Sequence, residues 1–370
     1  MWYAIIGSLA AAVLIGILYI SFRAANFSIV KRISGERRWL GRLLCLVFFA
    51  ALMSLLWFSM NLMNAMVCIV HLVVFWLICD GVALIVRKVR RKKGTEYFAG
   101  AVAMILCFLY LSAGWYAAHH VWVKNYEFVT DKFEGNVRIV QITDSHLGAT
   151  FHADRFAEYM DEINELSPDA VVVTGDFVDD DTSREDMLDS CDALGKLKTT
   201  YGVFFIYGNH DKGYYSEAAK GWRNSELRDR LAENGVILLE DTSYLVGDKM
   251  YISGRQDRSE DQRGLPRATA EEMVSELDRD KFILMLDHQP FDFDAEAEAG
   301  ADLVLCGHTH GGQFIPINHV GEWMGENCLY YGHEKRLNTD FIVSSGISNW
   351  TFKFKTGCHS EYVVIDIKGK

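Results

Sequence analysis

Five short clusters between residues 144 and 310 carry the residue types of a metal centre. They are Asp144-Ser145-His146, Gly175-Asp176-Phe177-Val178-Asp179, Gly208-Asn209-His210-Asp211, the single His288, and Gly307-His308-Thr309-His310. Carboxylate, imidazole and amide oxygen suit divalent ions of hard to borderline character, and thiolate is absent from the set. Each cluster alone has a plainer use. Asp144 and Asp176 could cap helices, Asn209 could make a turn, and His288 could be a hydrogen-bonded core histidine. Paired histidines such as His308 and His310 also occur on ordinary surface loops. An extended backbone through the last cluster would point both of these histidines the same way. Gly307, Gly311 and Gly312 would let the chain turn and approach a ligand closely.

The elements before these clusters explain how they could meet. Strands are expected at 137–143, 170–174, 203–207, 236–239, 282–286, 303–306, 341–344 and 362–367, with a hairpin through Tyr244 and Ile252. Amphipathic helices are expected at 154–166, 183–197 and 216–234. Strands alternating with helices imply a layered α/β sheet. All five clusters fall just after expected strands, where open α/β sheets bind ligands. Runs such as Asp179-Asp180-Asp181, and Glu296 with Glu298, read as solvated faces.

The first third of the chain has a different character. Four apolar spans, 2–22, 43–63, 66–86 and 98–118, each have about the 20 residues a bilayer crossing needs. Through Val123 there are 12 Lys/Arg and 3 Asp/Glu, which leaves 25 and 46 of the chain's 37 basic and 49 acidic residues for the remainder. The expected division is therefore a membrane domain, 1–123, and an acidic catalytic domain, 124–370. Such acidity disfavours nucleic acid as a partner, since phosphate-backbone binding needs a basic footprint. Six basic residues lie between spans one and two (Arg23, Lys31, Arg32, Arg37, Arg38, Arg42), six between three and four (Arg87, Lys88, Arg90, Arg91, Lys92, Lys93), and none in the link near Asn64. Basic loops stay in the cytoplasm, so the catalytic domain is expected outside it. Trp2, Tyr3, Trp115, Tyr116 and Trp122 read as interfacial anchors. Within span three, His71 and Asp80 are ionisable, and Asp80 is expected to pair with Arg87 or reach toward the membrane surface. The eight cysteines show no CxxC spacing. Cys328 and Cys358 could bridge in an oxidising compartment.

The ordered set DxH, GDxxD, GNHD, a lone histidine and GHTH resembles the calcineurin-like metallophosphoesterase superfamily, from about Val137 to the chain end. Within it the sequence is similar to a bacterial membrane-associated subgroup of the YkuE and YaeI type, by HTHGGQ followed by Pro316, His288-Gln289-Pro290, and Ser253-Gly254 with Asp257. The resemblance implies a four-layer αββα sandwich, here preceded by four transmembrane helices. It implies two divalent ions of the Mn2+, Fe2+ or Zn2+ kind. One would be held by Asp144, His146, Asp176 and His310, the other by Asp176, Asn209, His288 and His308, with Asp176 shared. Such a pair holds hydroxide and clamps phosphoryl oxygens during in-line attack. His210 is similar to the family's catalytic histidine, with Asp211 orienting it, and Asp179 would support a ligand rather than be one. The chain departs from the family at Ser344-Ser345-Gly346-Ile347-Ser348, where an arginine-containing turn is usual, with Lys353 and Lys355 following.

The resulting expectation is a membrane-anchored phosphoesterase acting on a phosphomonoester, phosphodiester or pyrophosphate. A lipid-linked or cell-envelope phosphate and the lipids themselves are the expected partners. A phosphodiesterase for small soluble substrates is the rival within the class. Outside it stands a metal-binding but inactive membrane scaffold or sensor, against which the retained His210 argues.

Overall fold

The computed structural model describes residues 2–90, 97–213, 217–326 and 328–370, without the side chains of residues 2–6, 218 and 219. Arg91, Lys92 and Lys93 of the second basic loop, the Trp2 and Tyr3 side chains, and Ser216 lie outside this description. The chain divides into two compact units, Met1–Gly114 and Trp115–Lys370.

Four helices, Trp2–Ala24, Arg38–Ser59, Leu62–Arg90 and Ala99–His119, are long and apolar enough to cross a membrane. Their outward faces carry Leu14, Phe48, Leu55, Ile85 and Phe108 exposed, a surface that suits hydrocarbon rather than water. Their inward faces pack Ile17, Ile20, Phe49, Ile69 and Trp76 together. Asp80 pairs with a different residue from the expected Arg87. Arg23 of the first helix grips it through two bonds of 2.6 and 2.7 Å, and the Tyr19 and Tyr97 hydroxyls donate at 2.6 and 2.9 Å. The close packing of the first and third long helices brings Arg23 there, a relationship that residue spacing within one helix does not reveal. His71 Nδ1 lies 2.8 Å from the Val67 carbonyl, one helical turn back.

The second unit contains strands β1 (Val121–Thr130), β2 (Gly135–Ile142), β3 (Ala170–Thr174), β4 (Gly202–Ile206), β5 (Ile237–Leu238), β6 (Thr242–Val246), β7 (Met250–Gly254), β8 (Phe282–Leu286), β9 (Leu303–Cys306), β10 (Gly332–Arg336), β11 (Thr339–Val343) and β12 (Ser360–Gly369). They form two six-stranded sheets, ordered β1-β12-β2-β3-β4-β5 and β10-β11-β9-β8-β7-β6. Strand alternation builds the layers. Ala170 and Val172 of β3 face the second sheet, where Leu284, Leu286, Leu303 and Leu305 meet them. Val171 and Val173 face helices Ala153–Glu165 and Arg184–Leu194, against Phe156, Ile163, Met187 and Leu194. On the far side Val304, Cys306 and Phe341 pack under Phe293 and Ala297 of helix Phe293–Ala299. The order is helix, sheet, sheet, helix. Every residue of β3 and β8 is buried, which is why those runs read as continuously apolar.

Several boundaries differ from expectation. The helix expected at 216–234 is two pieces, Glu217–Lys220 and Asn224–Glu233, because Gly221 takes a left-handed φ of 81°. Strands β1 and β10 lie at sheet edges, alternate between exposed and half-buried positions, and were absent from the expected set. The expected domain boundary after residue 123 falls inside β1. Glu296 is no solvated residue: it is 1% exposed and meets Arg255 at 3.2 Å, while Glu298 is exposed as expected. Cys328 and Cys358 are free thiols, donating to the Phe291 and His310 carbonyls.

Candidate metal centre

Parallel pairing of β2, β3 and β4 puts their C-terminal ends at one edge of the first sheet. Asp144, Asp176 and Asn209 follow those ends. In the second sheet β8 and β9 are likewise parallel, and His288 and His308 follow them. The facing sheets thus bring five loops to one rim. Two glycines allow the approach. A Cβ on Gly208 would lie 2.3 Å from Asp176 Oδ1, and one on Gly307 would lie 2.3 Å from Asp144 Oδ2.

Asp144, His146, Asp176, His308 and His310 all have positive φ, between 35 and 71°. Left-handed backbone is costly for residues with a Cβ and clusters at functional sites. It also overturns the extended reading of the GHTH stretch. His308 and His310 still reach the same rim, but in two adjoining groups of donors rather than side by side along a strand. Asp144, His146 and His310 form one group with ligand atoms within 4.8 Å of one another, and Asp176, His288 and His308 form a second.

Asp176 joins the groups. Its Oδ2 lies 3.1 Å from His288 Nε2 and 3.5 Å from His146 Nε2, while its Oδ1 accepts the His210 backbone N–H at 2.8 Å. Asn209 Oδ1 is 3.2 Å from His288 Nε2, on the second group's side. Asp144 Oδ1 is 3.6 Å from His310 Nε2, and the carboxylate takes the His308 N–H and the Thr143 hydroxyl. His146 Nδ1 is backed by Asp179 at 3.3 Å, which buries Asp179 although its neighbour Asp181 is exposed.

Burial works to raise carboxyl pKa values and lower those of imidazoles. Asp144 is raised by burial, with Asp176 adding to it. For Asp176 burial is overcome by His288, His210 and His146, and its carboxyl lies well below the usual range. His288 and His146 are held above the ordinary imidazole value against burial, chiefly by Asp176 for the former and Asp179 for the latter. Burial pushes His308 down to about 4 and His310 well below its usual value. These two are therefore neutral, the form with a lone pair for a cation.

The donors fit a pair of divalent ions. His146 Nε2 is buried without a hydrogen-bond partner among the described residues, and it faces a carboxylate that is itself depressed. Asp211 has both oxygens engaged by backbone N–H groups of Asp176, Phe177, Val178 and Gly208, at 2.7–3.0 Å. It braces the loops of Asp176 and Asn209. The His210 ring is half-buried, 5.1 Å from that of His146 and 5.3 Å from Trp350. Behind His288 sits a cluster that residue spacing did not signal. Arg255 and Arg267 hold Asp287 at 2.8 and 2.5 Å and Asp292 at 3.1 and 3.0 Å. Lys355 is fully buried and donates to the Ser345 carbonyl at 2.6 Å, on the turn that departs from the family pattern.

Residues 137–312 match the family model "Calcineurin-like phosphoesterase". An uncharacterized metallophosphoesterase of Aquifex aeolicus is 31% identical over 251 residues, covering 67% of this chain and 92% of that protein. The uncharacterized metallophosphoesterase YkuE of Bacillus subtilis is 32% identical, covering 49% of this chain and 60% of its own length. A zebrafish (Danio rerio) transmembrane protein with metallophosphoesterase domain is 28% identical, covering 63% and 53%. The chain spans less than two thirds of several curated relatives, 63% of one from Campylobacter jejuni and 61% of one from Caenorhabditis elegans.

Proposed function

Because the chain belongs to the calcineurin-like metallophosphoesterases, we propose that it is a membrane-anchored, dinuclear metal-dependent hydrolase of a lipid or cell-envelope phosphate. The observation that carries this reading is the position of Asp176 Oδ2 between two groups of donors, buried except for the half-buried His308, in a chain with four membrane-length helices. Asp144, His146, Asp176 and His310 would hold one ion; Asp176, Asn209, His288 and His308 would hold the other. Bound ions would supply Lewis acidity toward the phosphoryl group and activate water at neutral pH.

The protein's own groups do the rest. Asp179 occupies His146 Nδ1, which leaves Nε2 as the donor toward the ion. Asp211 fixes the turn that presents His210, and His210 passes a ring proton to the leaving oxygen. The domain faces away from the cytoplasm, a reading supported by the two basic loops between the spans. The deciding experiment is a phosphatase screen of the purified full chain, loaded with Mn2+, Fe2+ or Zn2+, on soluble nitrophenyl esters and on lipid phosphates. Faster release from lipid phosphates is expected. Release from soluble diesters alone would remove the lipid assignment, and no release from any ester would remove the enzyme.

A further inference from the structure

Exposed apolar side chains in the second unit are concentrated beside the metal centre. Ile315, Ile317, Val320, Trp323 and Met324 are 52, 57, 37, 74 and 61% exposed, all within ten consecutive residues. A soluble surface rarely groups such residues without a partner. The segment begins three residues after the His310–Gly312 turn. Its root is fixed: Phe314 is buried edge-on to Phe352 with ring centres 5.1 Å apart, and Gln313 accepts the Thr356 N–H at 2.8 Å. Its tip holds no lysine or arginine, and Glu322 is engaged by His319 at 2.8 Å and by the Tyr330 N–H at 2.9 Å.

The occupant follows from what adjoins this root. The Ile315 N–H donates to the Thr356 hydroxyl at 3.1 Å, and a Cβ on the following Gly357 would lie 3.4 Å from Ile315 Cγ1. One residue on, the Cys358 thiol donates to the His310 carbonyl, and two further on the Ser360 hydroxyl donates to the Ala118 carbonyl at 2.8 Å. Ala118 lies in the last turn of the fourth apolar helix, where Trp115 and Tyr116 are exposed, and just beyond it Trp122 lies against His359. The strip 356–360, at most about 17 Å end to end, therefore touches the apolar loop, a metal-site turn and the end of a membrane-length helix. Tryptophan and tyrosine at such an end belong to the bilayer interface.

We propose that Ile315–Met324 is a lipid-facing loop that enters the headgroup–acyl boundary, so that the metal centre takes its phosphate ester from the membrane surface. This rests on the membrane-anchored reading above and deepens it. Trp323 and the isoleucines supply the apolar contact, as in interfacial segments that sink about 5–10 Å. With no lysine or arginine at the tip, insertion needs no anionic lipid and resists salt.

The test uses the full chain in phosphatidylcholine vesicles with brominated acyl chains, comparing wild type with Trp323→Phe. Bromolipid quenching of a tryptophan component that the variant lacks, unchanged by high salt, is expected. Ile317→Glu/Trp323→Glu should lower kcat/KM on a vesicle-borne lipid phosphate roughly tenfold, the effect of about 1.4 kcal/mol of lost anchoring. Nitrophenyl phosphate turnover should be unchanged. Quenching equal in wild type and Trp323→Phe overturns the proposal even if lipid phosphate is hydrolysed. Cross-linking of position 323 to a second copy overturns it in favour of a self-association surface. Trp323-dependent quenching without lipid-phosphate hydrolysis supports the loop while removing the lipid substrate.

Discussion

The carboxylate of Asp211 accepts the backbone N–H of Asp176 at 2.9 Å. Through its other N–H partners the same side chain ties the loop after β3 to the loop after β4. Asp211→Ala leaves buried donors without an acceptor, at about 1–3 kcal/mol for each such group. A clear fall in Tm and a loss of bound metal are expected, with Asp211→Asn intermediate because it keeps a carbonyl oxygen. Thermal unfolding and elemental analysis of both variants check this. A wild-type Tm in the alanine variant would show that Asp211 is no brace.

Asp176→Asn should reduce occupancy at both ion positions, because Oδ2 lies between the two donor groups. Wild type should carry two ions per chain, and chelation should abolish hydrolysis reversibly. One ion per chain in the wild type, or full occupancy in the variant, contradicts the shared role.

His210→Ala should separate binding from chemistry. The ring belongs to neither donor group, so metal content should stay near the wild-type level. Turnover should fall by roughly 10²–10⁴-fold, the usual contribution of general acid–base catalysis. The deficit should be smallest for nitrophenolate, which leaves without a proton, and largest for an alkoxide. Loss of metal would make His210 a ligand instead.

Arg255→Met removes the cation shared by Asp287, Asp292 and Glu296. Breaking a buried ion cluster by taking one member costs about 3–5 kcal/mol. The variant should unfold at lower temperature and denaturant concentration, and its loop should hold His288 less firmly, weakening metal binding at the second group. Denaturant titration showing an unchanged midpoint would mean that Arg267 suffices.

A reporter fused after Lys370 should be active outside the cytoplasm and silent inside it, given six basic residues in each of two loops and none in the link between them. Cytoplasmic activity would reverse the topology and remove envelope phosphate as the substrate.

Local patterns carried much of this protein. The four apolar spans and β3, β8 and β9 were legible because a bilayer crossing or a buried central strand needs an unbroken apolar run. The places of Asp144, Asp176, Asn209, His288 and His308 just after strands were legible as well, because the apolar run before each marks where its strand ends. Edge strands β1 and β10 were not, because half their residues face solvent and dilute the apolar signal. Tertiary structure alone decided the partnerships. It gave Asp80 to Arg23 rather than Arg87 and buried Glu296 under Arg255. It also set the left-handed backbone at His308 and His310, through which they reach the separate donor groups that the family resemblance had implied. Each depends on where separate elements pack or on left-handed backbone at single residues, and neither is written in the spacing of side chains along one segment.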